Sequence, residues 1–399
     1  MNKDFILSVF IAATLAVSPL SASESSQTQA PVDKVEAKEL PPYEMNRGAV
    51  FAEDELLAAA LGESFSAMIT AVQNGEITDR HISTEDQQRH SFFMGALRRL
   101  ATDPDPSSAL PLVLKSFSPD GGKSFLISVA FMSPHEQGNQ IEKIIEFHAY
   151  PYVDGYRFRS PFEYRTRTLD MLEVDEVRYH FQSSFDRAQA EEFARFKKDF
   201  EARVGMPTTD LEYFCFETLD EVLRAYGIVY DCTRCNWLKE DLGFMDNDGR
   251  VFVTGTGNER FIFDYLVDYM SRYCDDDGDL YPPFVYGMAA YYGGYGLGGD
   301  DIETLKSQFR DELAARPDMN FLEEFHKGRK SSIRRHFTYF VISAFLCEEV
   351  LDRHGFDEVM KLARSGRSGE QFFETLESML GVGEDDFHEF ITQLIREDD

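Results

Sequence analysis

Basic residues are scarce in this chain. Its 399 residues include 40 Lys and Arg against 71 Asp and Glu, which gives a net charge of −31. Nucleic acids and anionic membrane surfaces bind basic faces, so we expect neither as a partner. The apolar content of 43%, with 35 Phe, predicts a globular protein with a sizeable core, organised as two domains or one large one.

Long apolar runs are also missing, except at the start of the chain. Residues 5–20 are mostly apolar, follow Lys3, and lead into Ser21, Ala22 and Ser23. This pattern is typical of a secretory signal peptide, which we place at residues 1–23. A membrane anchor is the alternative, but the run is short for a span and has a proline near its end. We therefore expect an exported protein, periplasmic or secreted, with no transmembrane segment in its mature form.

Histidine pairs that could bind zinc locally are absent. None of the nine histidines has another histidine four residues away. The dipeptides His135-Glu136 and His388-Glu389 are followed by Asn139 and Thr392 where an HExxH motif needs its second histidine. His388 is expected at the surface or at the core boundary. The sequence predicts no cofactor and no bound metal, and a zinc site would have to be assembled from distant parts of the chain.

The chain has only five cysteines. Cys232 and Cys235 form a CxxC, which together with Cys215 and Cys274 could hold a structural zinc ion or form disulfides. Disulfides are the expectation for an exported protein. A redox role is a weaker alternative, because this CxxC is predicted in a loop and not at the start of a helix. Cys347 lies on an apolar helical stripe and is expected to be a buried free thiol.

Composition and patterning divide the mature chain into three parts. Residues 24–47 are polar and are expected to form a flexible leader. Residues 48–172 are expected to form an N-terminal α+β domain, in which two helices precede an antiparallel β-meander. The predicted meander strands are 110–117, 124–131, 141–150, 156–162 and 177–181. Residues 173–396 are expected to form the second domain, which is helical after Asn258.

Two acidic stretches in the second domain are rich in oxygen donors. They span residues 246–249 and 275–279. A calcium loop would need a bidentate Glu at a fixed distance, which neither stretch has. Acidic turns are therefore expected at both places.

One stretch organises this second domain. A short apolar strand at 251–253 leads through Gly255 and Gly257 into a predicted helix that begins near Asn258. Its apolar face contains Phe263, Val267 and Met270. Another face carries charges at every fourth position, and we expect a solvated stripe of weak ion pairs there. The charged residues of this stripe are Arg260, Asp264, Asp268 and Arg272.

A second apolar helix follows. It begins at Pro282 and ends with the phrase Tyr-Gly-Met-Ala-Ala-Tyr-Tyr-Gly-Gly at residues 286–294. The two helices together resemble the core of the gluzincin metallopeptidases, the peptidase-MA-like families. In those enzymes the first helix carries HExxH and the second carries a Glu ligand, often in a phrase like EGxAxYxGG. The resemblance covers residues 175–396 and implies a thermolysin-type domain with a helical C-terminal tail, hence an α+β fold class.

The resemblance also implies that the zinc ligands are gone. The two motif histidines correspond to Phe263 and Val267, the general-base glutamate to Asp264, and the glutamate ligand to Tyr286. Catalytic zinc needs three N, O or S donors and an open position, which this set does not supply. If the family groove persists, Asp264, Tyr286, Tyr291 and Tyr292 would line it and would suit a peptide or carbohydrate ligand.

The sequence therefore predicts an exported, catalytically inactive gluzincin-like protein, a pseudo-peptidase that acts in binding or as a structural module. One alternative is an active zinc metallopeptidase with atypical ligands. Another is a plain structural or assembly module. An open aromatic groove would favour binding, and a filled one would favour a structural role.

Overall fold

The computed structural model describes residues 41–102, 110–135, 138–182, 184–206, 210–232, 243–246, 249–275, 278–294, 301–327 and 336–397. The predicted signal peptide and most of the predicted leader lie outside these residues. At the end of the leader, Tyr43 packs its ring against Phe51 and Phe65, with ring centroids 5.6 and 5.2 Å away. The structured part therefore begins before Val50. From Pro42 onward the chain forms one compact unit.

The strands of the described residues fall into two sheets. They are β1 (Glu44–Met45), β2 (Leu110–Phe117), β3 (Phe125–His135), β4 (Gly138–Tyr152), β5 (Gly155–Arg159), β6 (Asp170–Val174), β7 (Val177–Phe181), β8 (Leu211–Cys215), β9 (Ile228–Asp231), β10 (Gly243–Asp246) and β11 (Val251–Thr254). The short strands β1, β6, β9 and β10 are not among the strands that the sequence predicts.

The first sheet contains the predicted meander. Its order is β1-β2-β3-β4-β5, and β9 pairs with β4. Strands β2 to β5 pair antiparallel, as predicted. At the turn between β2 and β3 the carboxylate of Asp120 accepts the backbone N–H groups of Lys123 and Ser124. This local hydrogen bonding explains why the sequence identifies the turn.

The second sheet has the order β10-β11-β8-β7-β6, with three central parallel strands and antiparallel strands at both ends. It contains Val177–Phe181, so the prediction that these residues extend the meander is wrong. Strand β7 pairs parallel with β8. Parallel neighbours need a long crossover, here the helix Arg187–Val204, and the alternation of residues along a strand does not reveal its partner.

The helices occupy the two ends of the chain and the connections between strands. They are α1 (Glu55–Asn74), α2 (Thr84–Arg89), α3 (Ser91–Thr102), α4 (Phe162–Thr166), α5 (Arg187–Val204), α6 (Leu219–Ala225), α7 (Ile262–Tyr269), α8 (Pro282–Gly293), α9 (Ile302–Ala315), α10 (Phe321–Lys327), α11 (His336–His354), α12 (Phe356–Ala363), α13 (Gly369–Leu380) and α14 (Phe387–Glu397). Beyond Asn258 the described elements are all helical, as predicted.

Helix α5 shows how local sequence sets its ends. The carboxylate of Asp186 accepts the N–H groups of Ala188 and Gln189, and Gly205 ends the helix with a left-handed φ of 77°. Such capping supplies partners for backbone groups that the helix itself leaves unpaired. The predicted span, Ala188 to Val204, is therefore close to the observed one.

Two hydrophobic clusters form the core, and the second sheet lies between them. Tyr213 and Phe252 point into the cluster made with α5, α7 and the C-terminal helices. Their neighbours Phe214 and Val253 point into the cluster made with α1, α3 and the first sheet. Parallel strands are usually buried on both faces in this way. The described residues thus form an α+β protein with two mixed sheets. The predicted domain boundary between residues 172 and 173 stays a prediction.

Helix α1 is apolar enough to raise the question of a membrane. By length and composition alone it could cross one, a criterion that core helices of globular proteins also meet. Its Leu61, Phe65 and Ile69 are fully buried in the protein core.

Candidate functional site

The stretch from β11 into α7 forms the strand-turn-helix unit that the sequence predicts. Gly257 has a φ of 63°, a left-handed conformation that favours glycine. At Gly255 a side chain would lie 2.8 Å from the backbone nitrogen of Leu219. The helix begins at Ile262, four residues later than predicted, and continues as a π-helical turn from Met270 to Cys274.

The residues that correspond to the gluzincin ligands lie side by side. The rings of Phe263 and Tyr286 stack with centroids 6.3 Å apart and planes 17° apart. Phe340 of α11 packs against both rings, at 5.7 and 5.4 Å. Val267 lies one turn further along α7. It is partly buried against the hydrophobic core that α7 forms with the C-terminal helices. Aromatic packing therefore occupies the place where the resemblance puts a zinc ion.

Glycines let α8 approach its neighbours closely. A side chain at Gly287 would lie 2.0 Å from the Cβ of Ser343 on α11, and one at Gly293 would lie 2.6 Å from the backbone nitrogen of Phe263. Both glycines belong to the phrase that carries the resemblance. Their role in this chain is packing, and it does not depend on metal.

The carboxylates of α7 hold the end strand of the second sheet. Asp264 accepts the backbone N–H of Gly243 at 2.7 Å, and Asp268 accepts that of Met245 at 2.6 Å. Both donors belong to β10, whose other side pairs with β11. Asp264, the residue that the resemblance aligns with a general-base glutamate, is thus engaged in a structural hydrogen bond.

The prediction of a solvated charge stripe is wrong for Asp264 and Asp268, whereas Arg272 is exposed as expected. Asp264 and Asp268 face β10, and Arg272 donates to the carbonyl of Met245 at 3.3 Å. Arg260 forms an ion pair with Glu192 of α5 at 3.0 Å. A period of four correctly places the two aspartates on one face of the helix, but the fold covers that part of the face with a strand.

Burial shifts the ionisation of this region. It raises the pKa of Asp268 to about 6, although the Met245 N–H and Arg272 act in the opposite direction. Burial also raises the pKa of Tyr286 to about 12, helped by the charges of Asp264 and Asp268. The hydroxyl of Tyr286 therefore stays protonated at neutral pH and is a poor metal donor.

Tyr291 and Tyr292 do not share the face of Tyr286. The ring of Tyr292 packs against Phe196 and Phe200 of α5, at 5.6 and 6.1 Å. Tyr291 contacts Tyr292 at 5.0 Å, and burial and the charge of Glu348 on α11 raise its pKa. At 100° per residue, positions five and six residues after Tyr286 point away from it. The structure does not bring together the four residues of the predicted groove.

The cysteines show no cross-link among the residues that the structure describes. No disulfide joins Cys215, Cys232, Cys274 or Cys347, and Cys235 lies outside the described residues. Cys347 is fully buried, as expected. The thiol of Cys232 donates to the carboxylate of Glu142 at 2.6 Å, and burial and this carboxylate raise its pKa to about 12. The disulfides stay a prediction.

The two predicted acidic turns have different outcomes. Asp246 ends β10 and is buried, and its carboxylate accepts both the backbone N–H and the hydroxyl of Ser91 at the start of α3. Asp275 caps a turn by accepting the N–H of Leu280 at 3.1 Å and pairs with Arg367 at 3.2 Å. Residues 247–248 and 276–277 lie outside the described ranges.

His388 matches its prediction as a boundary residue. Its Nδ1 accepts the backbone N–H of Phe321 at 3.2 Å. The half-buried ring of His388 also packs against the ring of Phe321, with centroids 5.1 Å apart.

One polar cluster was missed at the level of sequence. Asp86, His90 and Glu163 place one potential ligand atom each within 4.8 Å of one another. Asp86 and His90 are four residues apart on α2 and its C-terminal cap. That Asp-x-x-x-His spacing is visible in the sequence. Glu163 lies on α4, and only the tertiary structure brings it to the other two.

The cluster is bounded by four further polar side chains. Ser83 and Tyr150 donate their hydroxyl groups to Asp86 Oδ2 at 2.7 and 2.9 Å. Arg89 and Arg159 each place a guanidinium nitrogen 2.7 Å from an oxygen of Glu163. Burial raises the pKa of Glu163, but His90 and the two guanidiniums outweigh it and hold the pKa at about 2. Glu163 is therefore a carboxylate at any physiological pH.

Comparison with known proteins yields no relatives for this chain: no family model, no curated protein and no solved structure matches it.

Proposed function

We propose that this is an exported gluzincin-like protein without peptidase activity, in which the former catalytic region serves as a structural module. The observation that supports this best is the set of contacts made by the motif positions. Phe263 and Tyr286 stack on each other and pack against the ring of Phe340, while Asp264 accepts the N–H of Gly243. A general base must instead be able to reach a water molecule and a substrate.

The hydrogen bonding of β10 favours a structural role over a peptide-binding role. Peptides commonly bind by adding a strand to an exposed sheet edge, using its unpaired N–H groups. On β10 the N–H groups of Gly243 and Met245 are taken by Asp264 and Asp268. A peptide or carbohydrate ligand at Tyr286 is the second candidate, because Tyr286 and Phe263 keep part of their surface exposed.

The active-enzyme alternative would need other donors. Neither Phe263 nor Val267 can bind zinc, and Tyr286 holds its proton strongly at neutral pH. Replacement of Asp264 by Asn tests the remaining catalytic group. We expect no peptidase activity on an unstructured protein substrate, either from the mature chain or from Asp264→Asn, with or without added zinc. Zinc-dependent hydrolysis that Asp264→Asn abolishes would contradict the proposal.

Restoring the ligands tests the geometric part of the proposal. The triple change Phe263→His, Val267→His and Tyr286→Glu places two imidazoles and a carboxylate on the facing sides of α7 and α8. Without metal it should be destabilised by roughly a few kcal/mol, because polar groups replace packed apolar ones. Zinc should then raise its melting temperature through binding linkage.

The double change Phe263→His and Val267→His serves as the matched control. It lacks the third donor and should respond to zinc much less. All measurements are made in a His90→Gln background, so that zinc bound elsewhere does not contribute. A folded triple variant that is indifferent to zinc would mean that these positions do not converge, and the gluzincin-like reading would be wrong.

A further inference from the structure

We propose that Asp86, His90 and Glu163 bind a divalent transition-metal ion of the Zn²⁺ or Mn²⁺ class. The three residues offer one imidazole nitrogen and two carboxylate oxygens within 4.8 Å of one another. Mixed nitrogen and oxygen donors suit these ions better than Ca²⁺ or Mg²⁺, which prefer oxygen alone. The site is separate from the motif helices α7 and α8, so it is independent of the proposed function.

His90 gives the strongest reason to expect a ligand. Its side chain is only 3% exposed, and its ring is enclosed by the rings of Phe162 and Tyr226, at 5.9 and 6.1 Å. Its Nε2 is buried and has no hydrogen-bond partner among the described residues. The nearest carboxylate oxygen, Glu163 Oε1, is 3.8 Å away, which is too far for a hydrogen bond. A buried polar nitrogen without a partner destabilises the folded protein, and a metal bond would remove this cost.

The spacing of the three atoms suits an ion placed between them. Bonds of about 2.1 Å put two ligands of a tetrahedral metal ion about 3.4 Å apart. The separations here reach at most 4.8 Å. The longest separation must therefore shorten by up to about 1.4 Å when an ion binds, a movement that rotation of the Glu163 side chain between its rotamers can supply.

Surrounding groups orient the donors without using all their lone pairs. Each carboxylate oxygen has two acceptor positions. Asp86 Oδ2 accepts from Ser83 and Tyr150, and Glu163 is held by Arg89 and Arg159. Such outer contacts are a common feature of metal sites. The two guanidiniums also repel a cation, so removal of one should strengthen binding.

The test uses the full mature chain, stripped with a chelator and then titrated with Co²⁺ and Zn²⁺. We expect one equivalent of metal to bind, with a Co²⁺ spectrum of nitrogen and oxygen ligation and no thiolate charge-transfer band. His90→Gln should weaken binding at least about tenfold. Arg89→Gln, at a side chain that is 39% exposed, should bind metal more tightly than the wild type. A purely structural role for the cluster does not predict this gain.

His326→Gln is the matched control, because His326 also pairs with a glutamate, Glu384, at 2.9 Å, but both are about half exposed. It should leave the affinity unchanged. No uptake of Co²⁺ by the wild type would overturn the proposal. So would uptake with a thiolate band, or equal affinity in the wild type and in a His90→Gln variant shown to be folded by circular dichroism.

Discussion

Asp268 on α7 accepts the backbone N–H of Met245 on β10, and Asp264, one turn earlier, accepts that of Gly243. Four residues of helix advance about 6 Å, and two residues of strand advance about 6.7 Å. A carboxylate at every fourth helical position therefore meets alternate N–H groups of a strand that runs alongside. Since unpaired strand edges promote association, this contact also protects the end of the sheet.

The pKa of Asp268 predicts a specific dependence of stability on pH. Burial raises its pKa in the folded protein to about 6, well above the ordinary value for an aspartate, so folding favours the protonated form. The favourable contribution is complete below about pH 4 and is lost as the pH rises to about 6, by up to about 3 kcal/mol. Asp268→Asn keeps an acceptor for Met245 but cannot titrate. The free energy of unfolding in urea, wild type minus variant, should fall across this range.

The exposed Asp385→Asn variant controls for the loss of a surface carboxylate. A difference between the wild type and Asp268→Asn that is constant from pH 4 to pH 6.5 would contradict the assignment of the titration to Asp268.

The approach of α8 to α11 predicts that Gly287→Ala is strongly destabilising. The new Cβ would lie 2.0 Å from that of Ser343, so the helices must separate. Overpacking of this kind costs about 1–3 kcal/mol or more. Gly62→Ala on α1 is the matched control, because its Cβ would meet only ordinary contacts at 3.4 Å. Alanine there should stabilise the helix by up to about 1 kcal/mol. The melting temperatures of the two variants, each compared with that of the wild type, test this prediction. Equal changes in the two variants would contradict the close packing of α8 and α11.

A buried ion pair on α5 predicts a large non-additive effect. Lys197 Nζ lies 3.0 Å from Glu201, and both side chains are at most 1% exposed. Lys197→Met leaves a buried carboxylate without this cation and should cost about 3–5 kcal/mol. Adding Glu201→Gln removes the charge and keeps an acceptor for the hydroxyl of Tyr265, so the double variant should be more stable than Lys197→Met.

The pair of Arg187 and Glu191 on the same helix has the same spacing but is more than half exposed. Arg187→Met should therefore cost less than about 1 kcal/mol. Urea unfolding of the single and double variants gives the coupling energy between Lys197 and Glu201. A coupling near zero at Lys197 would mean that the pair contributes no more than its exposed counterpart.

Thiol counting separates two expectations for the cysteines. The sequence predicts about one free thiol in the unfolded, unreduced protein. The structure predicts at least three, because no two of the four described cysteines are joined and Cys235 can pair with only one of them. Titration in denaturant, with a fully reduced sample as the control, gives the number directly. A count of one would show that four of the five cysteines form disulfides, which must include at least three of the described ones.

The sequence by itself determined the local elements. Asp120 and the glycines after it identify the meander turn, and Asp186 and Gly205 mark the ends of α5, because these features depend on residues close together in the chain. The spacing of Phe263 and Val267 correctly gives one face of a helix for the same reason. The placement of Tyr286 beside Phe263 joins two helices, and the packing of Tyr286 with Phe340 involves a third helix far along the chain.

Only the tertiary structure decided what covers each face. The sequence predicts that the charges of α7 are exposed to solvent. The spacing of four residues is the same on a solvent-exposed helix face and on a face that packs against a strand, so the spacing cannot tell the two apart. The pairing of β7 with β8, the burial of Asp246 against Ser91, and the approach of Glu163 to His90 all join residues distant in the chain. Burial by such distant partners sets the pKa of a carboxylate and the exposure of an aromatic ring. Neither property can therefore be predicted from a local sequence pattern.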